Sequence, residues 1–168
     1  MIADDIPWLS PDERGAWLAV AALMVRLPAA LDIQLERDAG LSMFEYMVLS
    51  VLSEEPDRTM RMSDIATFAS SSLSRLSHTA KRLEKAGYLT RQQVPGGGRR
   101  TDATLTDAGY EKVLAAAPAH VREVRRLLVD VLDPGEIDVL SRIGRKVVRA
   151  IDPDDACGEV CRVPHSSR

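Results

Sequence analysis

The chain has 168 residues, of which 45% are hydrophobic and only 4% aromatic, and its formal net charge is −3. A core rich in Leu, Val, Ile, Ala and Met is typical of helical proteins, and this composition excludes a disordered chain. The net charge alone argues against a nucleic-acid partner. Residues 58–100, however, include nine basic residues and two acidic ones, a charge of +7 that leaves −10 for the rest. A basic block in an acidic protein indicates a surface for nucleic acid.

Neither a leader nor a membrane span is predicted. The N-terminus has no basic region ahead of an apolar one, so we expect no signal peptide. The longest apolar stretch, residues 17–31, is interrupted by Arg26 and Pro28 and is shorter than the roughly 20 residues that span a bilayer. We therefore expect a cytoplasmic protein with no membrane partner.

The first predicted helix is long. It begins at a capping box from Ser10 to Glu13, with a proline at its first position, and it ends at Gly40. Apolar residues recur along it at helical spacing, and Pro28 is expected to kink it.

Three shorter helices follow. A second capping box, residues 42–45, opens an apolar helix. Ser63 is expected to cap a third helix over 64–68, and after a polar turn a fourth helix runs over 73–86 to Gly87, a typical C-terminal cap residue. Two short helices joined by a tight turn predict a helix-turn-helix.

The next elements form a wing. Strands are predicted over 88–94 and 101–105, on either side of a glycine-rich tip at 95–100, and a very short strand is predicted over 59–62. A hairpin that directly follows a helix-turn-helix is typical of a winged-helix protein.

Thr106 is expected to cap a fifth helix that runs to about Leu132, and a third capping box at 133–136 opens a sixth helix over 134–151. Residues 152–168 are expected to form a flexible tail.

These elements predict a mainly α fold with a small β wing. The winged helix-turn-helix unit covers residues 42–105, and the long N- and C-terminal helices at 10–39 and 106–151 form a dimerisation region. The dimer is expected because these helices carry more apolar surface than a lone helix can bury.

The fourth helix is the predicted recognition helix. Four residues are expected to pack inward: Leu73, Leu76, Ala80 and Leu83. The DNA-binding residues predicted at its start and outside that face are Ser72, Ser74, Arg75, Ser77, His78, Lys81 and Arg82. Arg75 lies near the first turn, where an arginine can bind guanine through two hydrogen bonds in the major groove, and Lys81 suits phosphate oxygens.

Three local motifs carry a family resemblance. They are RLEKAGYL at residues 82–89, LTDAG at 105–109 and FEY at 44–46. Together with the order of the elements, they resemble the MarR family of bacterial regulators over residues 10–151. The resemblance implies a transcriptional regulator, a repressor, that binds a pseudo-palindromic operator in double-stranded DNA as a homodimer. It also implies control by a small-molecule effector of anionic or phenolic character.

The wing departs from the family at one position. Arg99 falls where the family carries its wing arginine, and the aspartate that the family often has two residues earlier is replaced here by Gly97. Arg99 and Arg100 are still predicted to bind DNA, because a flexible loop can place an arginine in a narrow minor groove.

Some features leave alternatives open. Cys157, Cys161 and His165 are spaced four apart, so a redox-responsive regulator is one alternative to a plain tail. A helical dimer scaffold without DNA binding is another, although a scaffold would not need the polar row of the fourth helix. No cofactor, metal site or enzyme activity is expected, because the metalloprotease, nucleophile-elbow and dinucleotide motifs are missing from the sequence.

No residue specifies an effector. Trp8, Trp17, Met24 and His120 are candidates to line a pocket between the dimerisation helices and the DNA-binding unit. Ordinary core packing is the alternative for all four.

Overall fold

A computed structural model describes residues 6–96 and 100–152. It confirms the mainly α fold with a small β wing. In chain order the elements are α1 (Pro11–Ala39), α2 (Met43–Glu54), β1 (Thr59–Arg61), α3 (Met62–Phe68), α4 (Leu73–Lys85), β2 (Leu89–Gln93), β3 (Thr101–Leu105), α5 (Asp107–Val124), a π-helical turn (Arg125–Val129) and α6 (Pro134–Ile151).

Helix α1 begins and ends as its sequence predicts. Ser10 and Glu13 form the reciprocal capping box, and Gly40 ends the helix in a left-handed conformation at φ 61°. Its buried residues all lie near its C-terminal end and are Leu31, Gln34 and Leu35. The rest of α1 therefore extends away from the core of the single chain.

The expectation that no segment is long and apolar enough to cross a membrane was wrong. By length and composition alone, α1 passes that test, with a mean hydropathy of 1.7 over its most apolar window. Arg26 and Pro28 lie inside the helix, but an α-helix extends through both of them. The apolar stretch taken from the sequence, residues 17–31, was shorter than the helix that contains it.

The core lies where the C-terminal end of α1 meets α2, α3, α4, the sheet and α5. Its largest fully buried side chains are Leu35, Leu49, Leu52, Ile65, Leu76, Leu83, Leu89 and Val48. All of them are aliphatic, and all except Leu89 of β2 lie on helices, so burial of apolar surface holds α4 against the rest of the unit.

The prediction that Ser63 caps the third helix was wrong. Helix α3 begins at Met62, directly after β1, and Arg61 is its N-cap residue without a side-chain capping bond. The Ser63 hydroxyl instead donates to the neighbouring Asp64 carboxylate at 3.0 Å. Ser72 does cap α4, since its Oγ accepts the Arg75 amide at 3.2 Å.

The inward face of α4 differs from the prediction at two positions. Leu76, Ala80 and Leu83 are buried as expected, but Leu73 is 55% exposed and Thr79 is buried instead. Leu73 is the first residue of α4 and lies at the edge of the core, so the following turns fill the core without it.

The three strands form an antiparallel sheet in the order β1-β3-β2. Leu89 pairs with Leu105 and Gln93 with Thr101, so β2 and β3 make the hairpin of the wing. The tip of this hairpin includes residues 97–99, which lie outside the described residues.

The junction between the wing and α5 explains two of the sequence motifs. Gly87 ends α4 at φ 80°, and its carbonyl accepts the Thr106 hydroxyl at 2.7 Å. Thr106 caps α5 by accepting the Gly109 amide at 3.0 Å. A Cβ on Gly109 would collide with the Tyr88 carbonyl oxygen, so a glycine is required for α5 to pack this closely.

The fifth helix is not regular to its end. It was predicted to run to about Leu132, but α5 ends at Val124 and continues as the π-helical turn, in which the Asp130 amide bonds the Arg125 carbonyl at 2.7 Å. Helix α6 follows a capping box of Asp133 and Glu136 and has no buried residue in the single chain. The predicted tail lies outside the described residues beyond Asp152.

A small polar cluster joins α1, α2 and α5. His120 Nδ1 lies 3.2 Å from Gln34 Oε1, and its ring centroid lies 4.7 Å from that of Tyr46. Burial lowers the pKa of His120 below its ordinary value, because the interior disfavours the imidazolium.

This pKa predicts an acid-sensitive contribution to stability. Since the folded-state pKa of His120 lies below the unfolded value, its contribution is present above about pH 6.5 and is lost as the pH falls towards the folded-state pKa. We expect the free energy of unfolding by urea to fall between pH 7 and 5.5, and His120→Gln to flatten that dependence. An equal pH dependence in the variant would show that another group controls it.

Candidate nucleic-acid interface

The predicted recognition residues share one face of α4, opposite its buried face. Ser72, Ser74, Arg75, His78, Lys81 and Arg82 are exposed, and Ser77 is half-buried. The exposed face is polar because the apolar residues of α4 after Leu73 are used for the core. A helix of this kind can enter a major groove with its polar side chains towards the bases.

One edge of this face contacts the first turn of α2. The Arg75 guanidinium carbon lies 4.6 Å from the centroid of the Phe44 ring, a cation–π distance. Arg82 donates to the Glu45 carboxylate at 2.6 Å. Arg82, which was predicted to contact DNA, therefore already has a partner within the chain.

The other edge faces the wing. Arg91 on β2 binds Glu84 at 2.8 Å and approaches the Ser77 hydroxyl at 3.5 Å. The hydrogen bonds from Arg91 lower the pKa of Glu84, so that carboxyl stays ionised. Arg91 was not among the predicted site residues, although it belongs to the basic block of the sequence.

Arg100 also has an acidic partner. Its guanidinium makes two hydrogen bonds of 2.9 Å to Asp102, and these lower the pKa of the Asp102 carboxyl. Arg100, Leu73, Ser77 and Arg91 line a depression of about 530 Å³ between α4 and the wing. Leu73, which was predicted to be buried, thus lies on the same surface as the predicted DNA contacts.

The unpaired cations are the electrostatic part of the site. Among residues 6–96 and 100–152, no carboxylate lies within 4 Å of the charged groups of Arg75, Lys81 or Lys85. Arg82, Arg91 and Arg100 are each paired with a carboxylate. Three charges on α4 are therefore available to a polyanion.

Four of the candidate positions named from the sequence lie outside the described residues. They are Arg99, the predicted wing contact, and Cys157, Cys161 and His165 of the predicted tail. Within the part of the chain that is described, no group of three His, Cys, Asp or Glu residues could hold a metal ion.

A cleft of about 750 Å³ separates α1 from α4. Its walls include Asp32 and Pro28 from α1, Met43, Phe44 and Met47 from α2, and Arg75, His78 and Arg82 from α4. The candidates named from the sequence do not line it. Trp8, Trp17 and Met24 are exposed, and His120 packs against Gln34 and Tyr46 on another side of α1.

A helix-turn-helix followed by a hairpin and flanked by long helices defines the class of winged-helix DNA-binding proteins. Sco3205, a MarR family transcriptional regulator from Streptomyces coelicolor solved in complex with DNA, is 38% identical, with 90% of this chain and 94% of that chain covered at a TM-score of 0.85. AbsC, a MarR family regulator from the same organism, is 34% identical, with 89% and 100% covered at a TM-score of 0.82. The chain belongs to the MarR family of transcriptional regulators.

Two further comparisons agree with this family and fold. The MarR family model matches residues 39–100, which include the helix-turn-helix. PcaV from Streptomyces coelicolor, solved in complex with its natural ligand, has the same fold, with 21% identity, 88% of this chain and 100% of that chain covered and a TM-score of 0.67. No curated protein matches the chain.

The comparison also bears on α1. The tenth of this chain that the alignment to Sco3205 leaves out is about 17 residues, fewer than the 29 residues of α1. At least part of α1 therefore belongs to the fold that is shared with a DNA-bound regulator.

Proposed function

We propose that this protein is a DNA-binding transcriptional regulator whose α4 enters the major groove while the wing reaches the minor groove. The observation that carries the proposal is the exposed polar face of α4, where Arg75, Lys81 and Lys85 have no acidic partner among the described residues. The DNA complex of the 38%-identical Sco3205 supports it. We assign direct contacts to Ser72, Ser74, Arg75, Ser77, His78 and Lys81, with Arg99 and Arg100 on the wing.

We propose that the active form is a homodimer. The exposed apolar residues of α6 include Ile137, Leu140, Ile143, Val147 and Ile151, and α1 adds Trp17, Leu18, Met24 and Val25. Water-exposed apolar faces of this size mark association surfaces. Residues 10–39 and 106–151 thus form the dimerisation region, and residues 42–105 form the DNA-binding unit.

Selection of duplexes from a random-sequence pool tests DNA binding and dimer symmetry together. A two-fold dimer with two recognition helices should enrich an inverted repeat whose half-sites are about 34 Å apart, one turn of DNA. Failure to enrich any sequence would contradict the proposal. Enrichment of a single, unrepeated site would contradict the dimer but would still support DNA binding.

The salt dependence of binding identifies the phosphate contacts. The logarithm of the association constant should fall linearly with the logarithm of salt concentration, by about 0.9 for each phosphate neutralised. We expect Lys81→Gln to reduce the magnitude of this slope by about 0.9 per subunit, because it removes one such contact. Fluorescence anisotropy on the selected duplex measures the slope. Lys146→Gln on α6 makes the same change of charge outside α4 and should leave the slope unchanged.

We further propose that an anionic aromatic effector binds in the cleft between α1 and α4. Arg75, His78 and Arg82 supply positive or proton-donating groups, and Phe44, Met43 and Met47 supply apolar contacts. A ligand that contacts both α1 and α4 can change the orientation of the recognition helix relative to the dimerisation helices. The ligand bound to PcaV supports an effector only through the shared fold.

Benzoate and its neutral analogue benzamide provide a matched pair of probes for this cleft. We expect benzoate to raise the melting temperature and weaken DNA binding, and benzamide to do neither, because only the carboxylate pairs with the cationic wall. Equal effects of both compounds would contradict the anionic class.

We propose repression as the sign of regulation, because a bound dimer that covers a promoter excludes polymerase without any further contact. In vitro transcription from a promoter that overlaps the selected site measures whether the protein represses or activates.

The redox alternative rests on Cys157 and Cys161, and alkylation of both thiols should leave DNA binding unchanged under our proposal. A regulator of this kind acts where the DNA is, so we place the protein in the cytoplasm, with no enzyme activity assigned.

A further inference from the structure

One carboxylate connects α4 to the first turn of α2. Glu45 Oε1 accepts a hydrogen bond from Arg82 at 2.6 Å, while Oε2 accepts the Ser42 amide and hydroxyl, each at 2.9 Å. The Glu45 side chain is 12% exposed and that of Arg82 is 66% exposed. The same carboxylate thus caps α2 and holds a guanidinium of the recognition helix.

The first turn of α2 also contacts α1. The Met43 amide donates to the Asp32 carboxylate of α1 at 2.6 Å, and Phe44 lies beside Arg75 of α4. This turn therefore lies between the proposed dimerisation helix and the recognition helix, and Glu45 is its charged contact with α4.

The other two capping boxes show that the contact is not needed for capping. Glu13 of α1 and Glu136 of α6 occupy the same helix position and accept the same backbone bond, at 2.7 and 3.0 Å. Within the described residues neither of them has an arginine partner. Glu45 therefore makes a contact that its cap does not require.

We propose that Glu45 is a positioning residue, which holds α4 through Arg82 in the orientation that binds DNA, and that Arg82 acts through this pair rather than as a DNA ligand. The inference rests on the proposed function. If a DNA phosphate bound Arg82, the largely buried Glu45 carboxylate would lose its arginine partner while it lay beside a polyanion. Leaving that charge unpaired costs free energy.

The direction in which one substitution at Glu45 changes DNA affinity distinguishes a positioning role of Arg82 from direct contact with DNA. If Arg82 bound phosphate, removing the Glu45 charge would free Arg82 and remove a negative charge near DNA, so affinity would rise. If Glu45 positions α4, removing that charge lowers affinity.

Glu45→Gln is the sharpest variant because glutamine keeps the size and the capping bond from Ser42 but presents an NH₂ group to Arg82. We expect it to weaken binding to the selected duplex roughly three- to tenfold, within the about two- to thirtyfold range over which network residues modulate coupling. Arg82→Gln should weaken binding by a similar factor, and the double variant should be no weaker than either single one. Glu54→Gln makes the same substitution at the exposed last residue of α2, which has no arginine partner among the described residues, and should leave binding unchanged.

Two results would overturn the inference, provided that circular dichroism shows the fold retained. One is that Glu45→Gln binds the duplex as tightly as the wild type or more tightly. The other is that the losses of affinity in Glu45→Gln and Arg82→Gln add up in the double variant. If the wild-type protein enriches no DNA, the proposed function fails instead. Hydrogen–deuterium exchange then tests the positioning of α4. The α4 amides should exchange faster in Glu45→Gln than in Glu54→Gln, and equal exchange would overturn the inference.

Discussion

Leu140→Asp on α6 is expected to separate the proposed dimer into monomers and to weaken operator binding strongly. Leu140 lies on the apolar face of α6, which has no buried residue in the single chain. A two-fold interface contains the residue twice, so the variant loses two apolar contacts and buries two carboxylates. At roughly 1–2 kcal/mol per copy, the dimer dissociation constant should rise about 30- to 1,000-fold.

Analytical ultracentrifugation over a concentration series measures this constant, and anisotropy on the inverted repeat measures the effect on DNA. Arg142→Gln is the control, because it changes the net charge by the same amount on the polar side of α6. A Leu140→Asp protein that remains dimeric with α6 intact would show that α6 is not part of the interface. A wild-type protein that is monomeric at micromolar concentration would contradict the dimer itself.

The elements that the sequence predicted well are those controlled by neighbours in the chain. The capping boxes at Ser10, Ser42 and Asp133 and the left-handed glycines at Gly40 and Gly87 appear where they were predicted. Each of these signals involves residues within one turn, so the surrounding structure has little influence on it. The motif at residues 105–109 was also local, since Thr106 and Gly109 lie three positions apart.

The features that the sequence did not predict depend on distant contacts. Arg82 and Glu45 are 37 positions apart, so nothing near Arg82 indicates that it is paired. Leu73 has the spacing of a core residue, and only the edge of the core at the start of α4 leaves it exposed. The cleft between α1 and α4 likewise depends on how two helices pack, so its lining residues were not predicted from the sequence.

Arg75→Ala is expected to cost on the order of 1–3 kcal/mol per half-site on the selected duplex and to reduce sequence preference, with two half-sites affected in a dimer. Arg75 is exposed in the first turn of α4, the part of a recognition helix that approaches the base edges. Its stacking on Phe44 restrains the guanidinium, so less conformational entropy is lost when it binds a base. No carboxylate among the described residues within 4 Å competes with that base.

Anisotropy on the selected and a scrambled duplex separates base recognition from electrostatic attraction, with circular dichroism as the folding control. Arg75→Lys keeps the charge but lacks the planar fork that matches guanine, so it should retain binding to the scrambled duplex and lose part of the preference. Arg99→Ala on the wing should instead weaken binding to all sequences more evenly, or selectively to sites with a narrow minor groove. A folded Arg75→Ala protein with unchanged affinity and preference would mean that the recognition face of α4 has been placed wrongly, because Arg75 is the residue on that face best suited to bind guanine.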